Sequence, residues 1–277
     1  GDWRMLGNTE GSGALLILWT AAGLSLFSFV NVLVWRLPRN MNFLTDRSRC
    51  LFCGQTLNWR DLIPVFSWLL LKGRCRYCGE KIPLRYLLTE LWGGFCSLLC
   101  VKCWGISWKA GEMLVFLALL TAVSQIDQDT MEIPDGLNGA IFLLAVLALA
   151  QDGLLAARLD GWELAKWMAK ERLLGMISVS LPMFLLILMI PGAFGGGDVK
   201  LMAGVGLFLG WRRCLISFMA AVLAGGIYGG FLVLTGRKGR KDHFAFGPFL
   251  CAGAGLAAFF GNQILQWYLS AFFCSIP

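Results

Sequence analysis

Charged residues are scarce in this sequence. Asp, Glu, Lys and Arg make up 15% of its 277 residues, against about 25% in soluble domains. Hydrophobic residues reach 57% and the mean hydropathy is +0.68, so a water-soluble globular protein is nearly excluded. Disorder and collagen-like repeats are excluded as well, because the chain contains 20 Phe and 12 Trp. The composition indicates a membrane protein, and a chain of this length allows roughly seven to nine crossings.

Eight apolar runs are candidate membrane spans. They cover residues 14–35, 86–104, 110–126, 137–151, 173–192, 199–211, 214–235 and 245–274. The third, fourth and sixth runs are short for a hydrocarbon core of about 30 Å, so polar residues at their ends are expected at membrane depth. Residues 62–71 are too few to cross and are expected to be interfacial or packed in a small domain. The predicted fold is an all-α polytopic membrane protein with about eight transmembrane helices.

Basic residues predict the orientation of the chain. Residues 36–86 carry ten Lys or Arg against three acidic residues, a surplus equal to the net charge of +7 of the whole chain. Residues 237–241 (RKGRK) form a second basic connection, and with eight spans both connections lie on the same side. Because Lys and Arg are retained in the cytosol, both connections are predicted to be cytosolic. The positive charge then indicates contact with membrane lipids and not with nucleic acid.

Four cysteines in the first cytosolic connection are spaced as two metal-binding knuckles. They are Cys50, Cys53, Cys75 and Cys78. Two residues separate the cysteines of each pair, so both sulfurs can reach one ion. Gly54 and Gly79 follow the pairs and can adopt the left-handed turn that directs backbone N–H groups at the sulfurs. Two disulfides or four core thiols are the alternatives, but cytosolic thiols stay reduced, so a structural four-thiolate zinc site is predicted.

Two aspartates are expected at membrane depth on the cytosolic side. Asp127 ends the third span, and Asp198 opens the sixth directly after three glycines. Ionisable groups at this depth are costly and mark functional sites. Two carboxylates brought together share a proton, and such a pair can activate water toward an amide carbonyl and protonate the departing nitrogen. Helix capping is the alternative for each residue alone, whereas the two together indicate aspartic-protease chemistry.

The helix ends suggest how the two aspartates share the proton. Asp127 is predicted at a helix C-terminus, where the macrodipole disfavours negative charge. Asp198 is predicted near an N-terminus, where negative charge is favoured. The resulting hypothesis is that Asp127 holds the shared proton at rest and Asp198 supplies the negative oxygen that orients water.

The chain resembles the type IV prepilin peptidases, which are membrane aspartic proteases that share a Gly-x-Gly-Asp signature with presenilins and archaeal preflagellin peptidases. The resemblance covers nearly the whole sequence. It is carried by residues 23–38 (GLSLFSFVNVLVWRLP), the two knuckles, residues 67–78, 85–90 and 126–135, residues 195–200 (GGGDVK) and residues 246–249 (FGPF). The knuckle pair and GGGDVK are the specific parts, and their order along the chain strengthens the match.

The resemblance implies an enzyme of the bacterial inner membrane that cuts the short basic leader of a prepilin or pseudopilin at the cytoplasmic face. By resemblance, Asp127 and Asp198 are the catalytic pair, with Asp129 in reserve, whereas Asp135 looks like a turn or cap. Many family members also methylate the new N-terminal amine with S-adenosylmethionine. Residues 36–86 show no glycine-rich loop for that donor, so methylation rests on the resemblance alone.

The implied organisation has three parts. Residues 1–36 hold the first span, residues 37–85 form the zinc-binding domain, and residues 86–277 form a seven-helix protease domain. A zinc-stabilised transporter is one rival, but transporters more often contain internal repeats, and none is found. A zinc-stabilised scaffold is another, but it leaves Asp127 and Asp198 unexplained. A protease of the signal-peptide-peptidase type is disfavoured because its Tyr-Asp and Pro-Ala-Leu motifs are missing at the expected places. The oligomeric state is not indicated.

Overall fold

The computed structural model describes residues 9–43, 45–159, 161–190, 194–236 and 244–272. In these ranges the chain forms nine α-helices and no β-strand. The helices are α1 (Thr9–Arg36), α2 (Phe66–Leu70), α3 (Leu84–Trp104), α4 (Trp108–Thr130), α5 (Asp135–Leu159), α6 (Trp162–Met189), α7 (Gly196–Leu209), α8 (Trp211–Leu234) and α9 (Gly247–Phe272). Two short 3-10 turns, Leu37–Arg39 and Trp59–Leu62, lie between α1 and α2. The predicted all-α fold class is confirmed.

Seven of these helices are long and apolar enough to cross a membrane. The remaining predicted span corresponds to α7, which has 14 residues and is therefore about 21 Å long. That length is shorter than a hydrocarbon core of about 30 Å. Large apolar side chains are exposed along the long helices, among them Leu181, Leu185 and Leu188 of α6. Apolar exposure on this scale is expected of helices that face lipid.

Hydropathy located the spans better than it located the helix ends. α6 begins at Trp162 and not near residue 173, and its first turns carry charged side chains such as Glu163 and Lys166. A helical backbone satisfies its own hydrogen bonds in water as well as in lipid, so the helix continues beyond the apolar run. For the same reason α5 continues to Leu159. The basic connection at residues 237–241 lies outside the described residues.

The chain divides into two compact units, and the boundary falls between Ala118 and Leu119, inside α4. The N-terminal unit contains α1 to α3 with the cysteine-bearing segment, and the C-terminal unit contains α5 to α9. The sequence predicts a division by role and not by compactness. Its three parts are residues 1–36, 37–85 and 86–277, and that division stays a prediction.

Polar side chains join α1 to α3 in the N-terminal unit. Trp19 Nε1 donates to the carbonyl of Ser97 at 3.1 Å. Asn31 is buried and its Nδ2 donates to the carbonyl of Tyr86 at 3.3 Å. Such interhelical hydrogen bonds are the usual way in which membrane helices accommodate polar residues. Residues 62–71, which are too few to cross, form the end of a 3-10 turn and the short helix α2 within this unit.

The short helix α7 lies among four longer helices of the C-terminal unit, namely α5, α6, α8 and α9. Its Leu201, Met202 and Val205 side chains are fully buried. The crossing with α6 is close, because a Cβ atom on Gly206 would lie 2.1 Å from the carbonyl oxygen of Gly175. Only glycine permits that approach of two backbones. The longer helices thereby bury most of α7, including the Asp198 side chain in its first turn.

Candidate active site and metal centre

The four knuckle cysteines converge on one point. Their sulfur atoms all lie within 4.8 Å of one another, and the Sγ atoms of Cys50 and Cys78 are 3.9 Å apart. A tetrahedral zinc site with Zn–S bonds of about 2.3 Å requires sulfurs about 3.8 Å apart. All four residues are free thiols. The cluster can therefore hold one metal ion, and the structure does not show the alternative of two disulfides.

Each knuckle is closed by a single antiparallel bridge across the cysteine pair. The bridges join Arg49 to Thr56 and Arg74 to Lys81. Gly54 and Gly79 follow the pairs with φ angles of +70° and +72°, which are the left-handed turns that the sequence predicts. A hydrogen bond from the backbone N–H of Cys53 lowers the pKa of the Cys50 thiol to about 7. Desolvation and hydrogen bonds with the three neighbouring thiols raise the pKa of Cys78 to about 12, so four thiolates are not favoured together unless a cation offsets their charge.

Side chains beside the cluster hold the second knuckle in place. Arg76 Nε donates to Asp61 Oδ1 at 2.7 Å, and Asn58 Nδ2 donates to the hydroxyl of Tyr77 at 2.9 Å. Asp61 Oδ2 also accepts a hydrogen bond of 3.2 Å from the backbone N–H of Asn58, which caps the 3-10 turn. Residues 58–62 and the second knuckle therefore form one hydrogen-bonded structure.

Asp127 lies in the last turn of α4 and is 5% exposed. Its Oδ2 accepts a hydrogen bond of 2.8 Å from the backbone N–H of Gly247, the first residue of α9. A Cβ atom at position 247 would lie 2.7 Å from the same oxygen. Glycine is therefore required at this position, since any side chain would displace the carboxylate.

Asp198 lies in the first turn of α7 and is 8% exposed. Its Oδ2 accepts a hydrogen bond of 3.1 Å from the backbone N–H of Gly195, and its own N–H donates to the Gly195 carbonyl at 3.1 Å. This reciprocal pattern caps the helix. Capping therefore describes how Asp198 is held, and it leaves the second carboxylate oxygen for another partner.

The structure brings the surroundings of the two aspartates together. The aromatic residues that precede the two glycines, Phe194 and Phe246, have ring centroids 5.7 Å apart. Asp127 is hydrogen-bonded to Gly247, which follows Phe246, and Asp198 is hydrogen-bonded to Gly195, which follows Phe194. The two residues predicted from the sequence as a pair thus share one buried region of the C-terminal unit.

The neighbouring acidic residues have different surroundings. Asp129 is exposed at the end of α4. Asp135 is the first residue of α5 and pairs with Lys200 Nζ at 2.7 Å. A carboxylate at a helix N-terminus is favoured by the macrodipole, which agrees with the cap expected at Asp135. Burial distinguishes Asp127 from its reserve candidate Asp129.

The hydrogen bond from Gly247 bears on how the aspartates share a proton. Asp127 lies at the C-terminus of α4, but it also receives an N–H at the N-terminus of α9. Asp198 receives an N–H beside the N-terminus of α7. Each carboxylate is therefore near the positive end of a helix. The helix ends alone do not assign the proton to Asp127, and the hypothesis that it holds the proton stays a prediction.

Two residues near the aspartates received no role from the sequence. Gly247 belongs to a motif of the resemblance, but nothing local indicated that its N–H binds Asp127. Asn138 in the first turns of α5 donates through Nδ2 to the Gly197 carbonyl at 3.3 Å, and its Oδ1 is buried without a partner. A polar amide at the start of an apolar span is the signal that marks such a residue.

Replacing Gly247 with Ala is expected to lower the rate of the reaction that the aspartate pair catalyses by about 100-fold, because a misplacement of about 1 Å is enough for a loss of that size. The added methyl would lie 2.7 Å from Asp127 Oδ2 and 3.0 Å from its Cγ, so the carboxylate must move. The measurement is kcat on a full-length substrate in detergent.

Gly226→Ala is the matched control for that substitution. No heavy atom lies within 4 Å of a Cβ at this position of α8, and cleavage is expected to be unchanged. Wild-type activity in the Gly247→Ala variant would contradict the requirement for glycine beside the Asp127 carboxylate.

The fold and the site together define a class of protein. It is a helical membrane protein with a buried aspartate pair in one compact unit and a four-cysteine metal-binding segment in the other. Comparison with known proteins identifies the family. Residues 21–104 match the model of the bacterial peptidase A24 N-terminal domain, and residues 114–230 match that of the type IV leader peptidase family.

Known proteins are similar to this chain over nearly their full length. One from Bacillus subtilis (strain 168), named prepilin leader peptidase/N-methyltransferase, is 34% identical over 247 residues, which cover 89% of this chain and 95% of the relative. A protein of the same name from Stutzerimonas stutzeri is 30% identical over 272 residues, covering 89% and 91%. No solved structure matches the chain. The chain belongs to the type IV leader peptidase family.

Proposed function

We propose that this protein is a membrane aspartic endopeptidase that removes the basic leader of type IV prepilins or pseudopilins. One observation carries the proposal: Asp127 and Asp198 are both buried, and each is held through a single oxygen by a backbone N–H. The relatives support the substrate class, because they are named prepilin leader peptidase/N-methyltransferase. Asp129 is the reserve candidate for a catalytic role.

The geometry supports a division of labour between the oxygens of each carboxylate. Oδ2 of each aspartate is occupied by a glycine N–H, so Oδ1 of each is the atom that can face water and substrate. Two carboxylates in one buried region share a proton, since both cannot ionise together. The ionised member removes a proton from the attacking water, and the protonated member donates its proton to the departing amide nitrogen.

The reaction is proposed to occur at the cytoplasmic face of the bacterial inner membrane. Residues 36–86 carry a surplus of seven positive charges, and the positive-inside rule retains such a connection in the cytosol. Asp127 lies at the end of α4 and Asp198 at the start of α7. With the first connection in the cytosol, both helix ends lie on the cytosolic side.

The second proposed activity is methylation of the new N-terminus. S-adenosylmethionine would supply the methyl group: a C–N bond forms at the amine, the C–S bond breaks with its electron pair left on sulfur, and the amine loses a proton. The metal proposed for Cys50, Cys53, Cys75 and Cys78 is zinc. With all four positions filled by protein thiolates, this ion is structural and not catalytic.

Mass spectrometry of a co-expressed prepilin tests the proposed function. The expected product lacks the leader, begins at the first residue of the apolar helix and carries the mass of one added methyl group. Co-expression with an Asp127→Asn variant provides the control and is expected to leave the leader attached. An unprocessed prepilin beside folded wild-type protein would instead favour a transporter or scaffold without protease activity.

A further inference from the structure

The connection between α4 and α5, together with the first turn of α5, contacts the start of α7 at three points. A Cβ atom on Gly197 would lie 3.0 Å from the Cβ of Ile133. Asn138 Nδ2 donates to the Gly197 carbonyl at 3.3 Å, and Lys200 Nζ pairs with Asp135 Oδ1 at 2.7 Å. Because α4 and α7 carry the two aspartates of the proposed pair, this connection joins one aspartate helix to the start of the other.

Asn138 makes the buried polar contact among the three. Lys200 and Asp135 are both exposed, and exposed ion pairs contribute little. Asn138 is 5% exposed, and its backbone N–H donates to the Pro134 carbonyl at 3.3 Å, which holds it in the first turn of α5. A hydrogen bond in such a buried region is not weakened by competing water. Asn138 is therefore the side chain through which α5 can fix the position of α7.

The peptide group that leads into Asp198 is held at both ends. The Gly197 carbonyl and the Asp198 N–H belong to one planar unit. The N–H donates to the Gly195 carbonyl at 3.1 Å, and the carbonyl accepts Nδ2 of Asn138. Residues 195–197 are all glycine, and glycine has the widest backbone freedom. A contact from another helix thus restricts a plane whose rotation would move the Asp198 carboxylate.

The chain that leads from Asp127 to α5 is hydrogen-bonded step by step. The Asp127 carbonyl accepts the Met131 N–H at 2.8 Å, which closes the end of α4. The Thr130 hydroxyl oxygen accepts the Glu132 N–H at 3.3 Å. The Pro134 carbonyl then accepts N–H groups of the first turn of α5. Because these local bonds leave the connection little freedom, the contact of α5 with α7 fixes the end of α4 relative to the start of α7.

The side-chain oxygen of Asn138 shows that the residue is not explained by stability. Asn138 Oδ1 is buried and has no hydrogen-bond partner among the described residues. A buried acceptor without a partner destabilises a fold, and leucine, which is similar in shape, would avoid that loss. Stability alone therefore favours an apolar residue at position 138. Local features that lower stability without a compensating gain elsewhere are expected at functional sites.

We propose that Asn138 is a positioning residue of the peptidase reaction. It holds the Gly197–Asp198 peptide group through Nδ2 and thereby sets the place of the Asp198 carboxylate relative to Asp127. This inference rests on the proposed function, because it requires that the two aspartates act as a pair. Asn138 acts through Asp198, and its role needs no contact with the substrate.

Steady-state cleavage of a prepilin by the full chain in detergent tests the proposal. Asn138→Leu keeps the approximate shape of the side chain but cannot donate, and kcat is expected to fall about 10–100-fold. KM is expected to change less than about 2-fold, because only the reacting groups are displaced. The unfolding temperature is expected to equal or exceed that of the wild type, since the unpaired oxygen is removed. Asn138→Ala, which adds no bulk, is expected to show the same loss of kcat.

The coupling between Asn138 and Asp198 distinguishes positioning from a role in folding. In an Asp198→Asn background, Asn138→Leu is expected to change the residual rate less than about 2-fold, because the carboxylate that it positions is already gone. A role in folding alone would lower the rate by the same factor in both backgrounds, and that result would overturn the proposal.

Asn31→Leu is the matched control. Asn31 is also buried, and its Nδ2 donates to the Tyr86 carbonyl at the same distance of 3.3 Å, but it lies in the N-terminal unit. Its substitution is expected to leave kcat unchanged, and an equal loss there would contradict a specific role for Asn138. Wild-type kcat in both Asn138→Leu and Asn138→Ala, beside an inactive Asp198→Asn variant, would overturn this inference and leave the proposed function standing. Full activity of Asp198→Asn would instead overturn the proposed function.

Discussion

Replacing either Asp127 or Asp198 with Asn is expected to lower prepilin cleavage by about 10²–10⁴-fold, the contribution of a positioned acid or base. Asn keeps the shape of Asp and retains an oxygen that accepts the glycine N–H, so the fold should survive. The amide cannot take a proton from water or share one with the remaining carboxylate. The measurement is a cleavage time course with purified enzyme in detergent, with unfolding temperature recorded for each variant.

Asp129→Asn is the matched control for this loss. Asp129 lies two residues after Asp127 but is exposed, so its substitution is expected to leave kcat near that of the wild type. Full activity in Asp127→Asn, or loss of activity in Asp129→Asn alone, would move the catalytic role to the reserve candidate. Retained cleavage in Asp198→Asn would remove the paired mechanism altogether.

The double variant gives a further check on the pair. Two groups that act as a unit are strongly non-additive, so removing the second costs little once the first is gone. The Asp127→Asn, Asp198→Asn double variant is therefore expected to have the residual rate of either single variant. If the fold-losses of the two single variants multiplied in the double variant, the two aspartates would contribute independently and would not share one proton.

The sequence predicted the membrane helices and the specific motifs well, for clear physical reasons. Apolar runs report where lipid surrounds the chain. The first four predicted runs lie within helices, and the other four overlap α6 to α9 along most of their length. The spacing of cysteines within a knuckle is a local property, because the two residues between them allow few backbone conformations and so keep the two sulfurs close. The two knuckles also meet, with the sulfurs of Cys50 and Cys78 3.9 Å apart, which agrees with the prediction that both pairs bind one ion.

The contacts that complete the aspartate site could not be predicted from the sequence. Gly247 donates to Asp127 across 120 residues of chain, and no local pattern specifies which helix N-terminus a buried carboxylate meets. The orphaned oxygen of Asn138 likewise exists only because α5 packs against α7. Sequence spacing reports what neighbours in the chain can do, whereas these features depend on tertiary packing.

Cys53→Ser is expected to abolish stoichiometric zinc binding and to unfold the cysteine-bearing segment. In small zinc domains, metal binding contributes about 10–16 kcal/mol, and that free energy is folding free energy. The regular structure described between α1 and α3 is limited to short turns, two isolated bridges and the five-residue helix α2, so the metal is the main link between the two knuckles. Bound zinc is measured by mass spectrometry of metals, and unfolding by limited proteolysis within residues 45–83.

Cys103→Ser is the matched control, because Cys103 is also an exposed free thiol but lies outside the cluster. It is expected to keep one zinc per chain and to give the same limited-proteolysis fragments as the wild type. Alkylation of the wild type after zinc removal should label all four knuckle cysteines. Unlabelled cysteines under these conditions would show two disulfides and overturn the metal site.

Prepilin cleavage is expected to survive loss of the metal. The aspartates and the glycines that hold them belong to the C-terminal unit, so prepilin cleavage should persist in Cys53→Ser. Cleavage that disappeared together with zinc, in a protein whose membrane helices remained folded, would contradict a purely structural ion and would require the cysteine segment in the peptidase reaction.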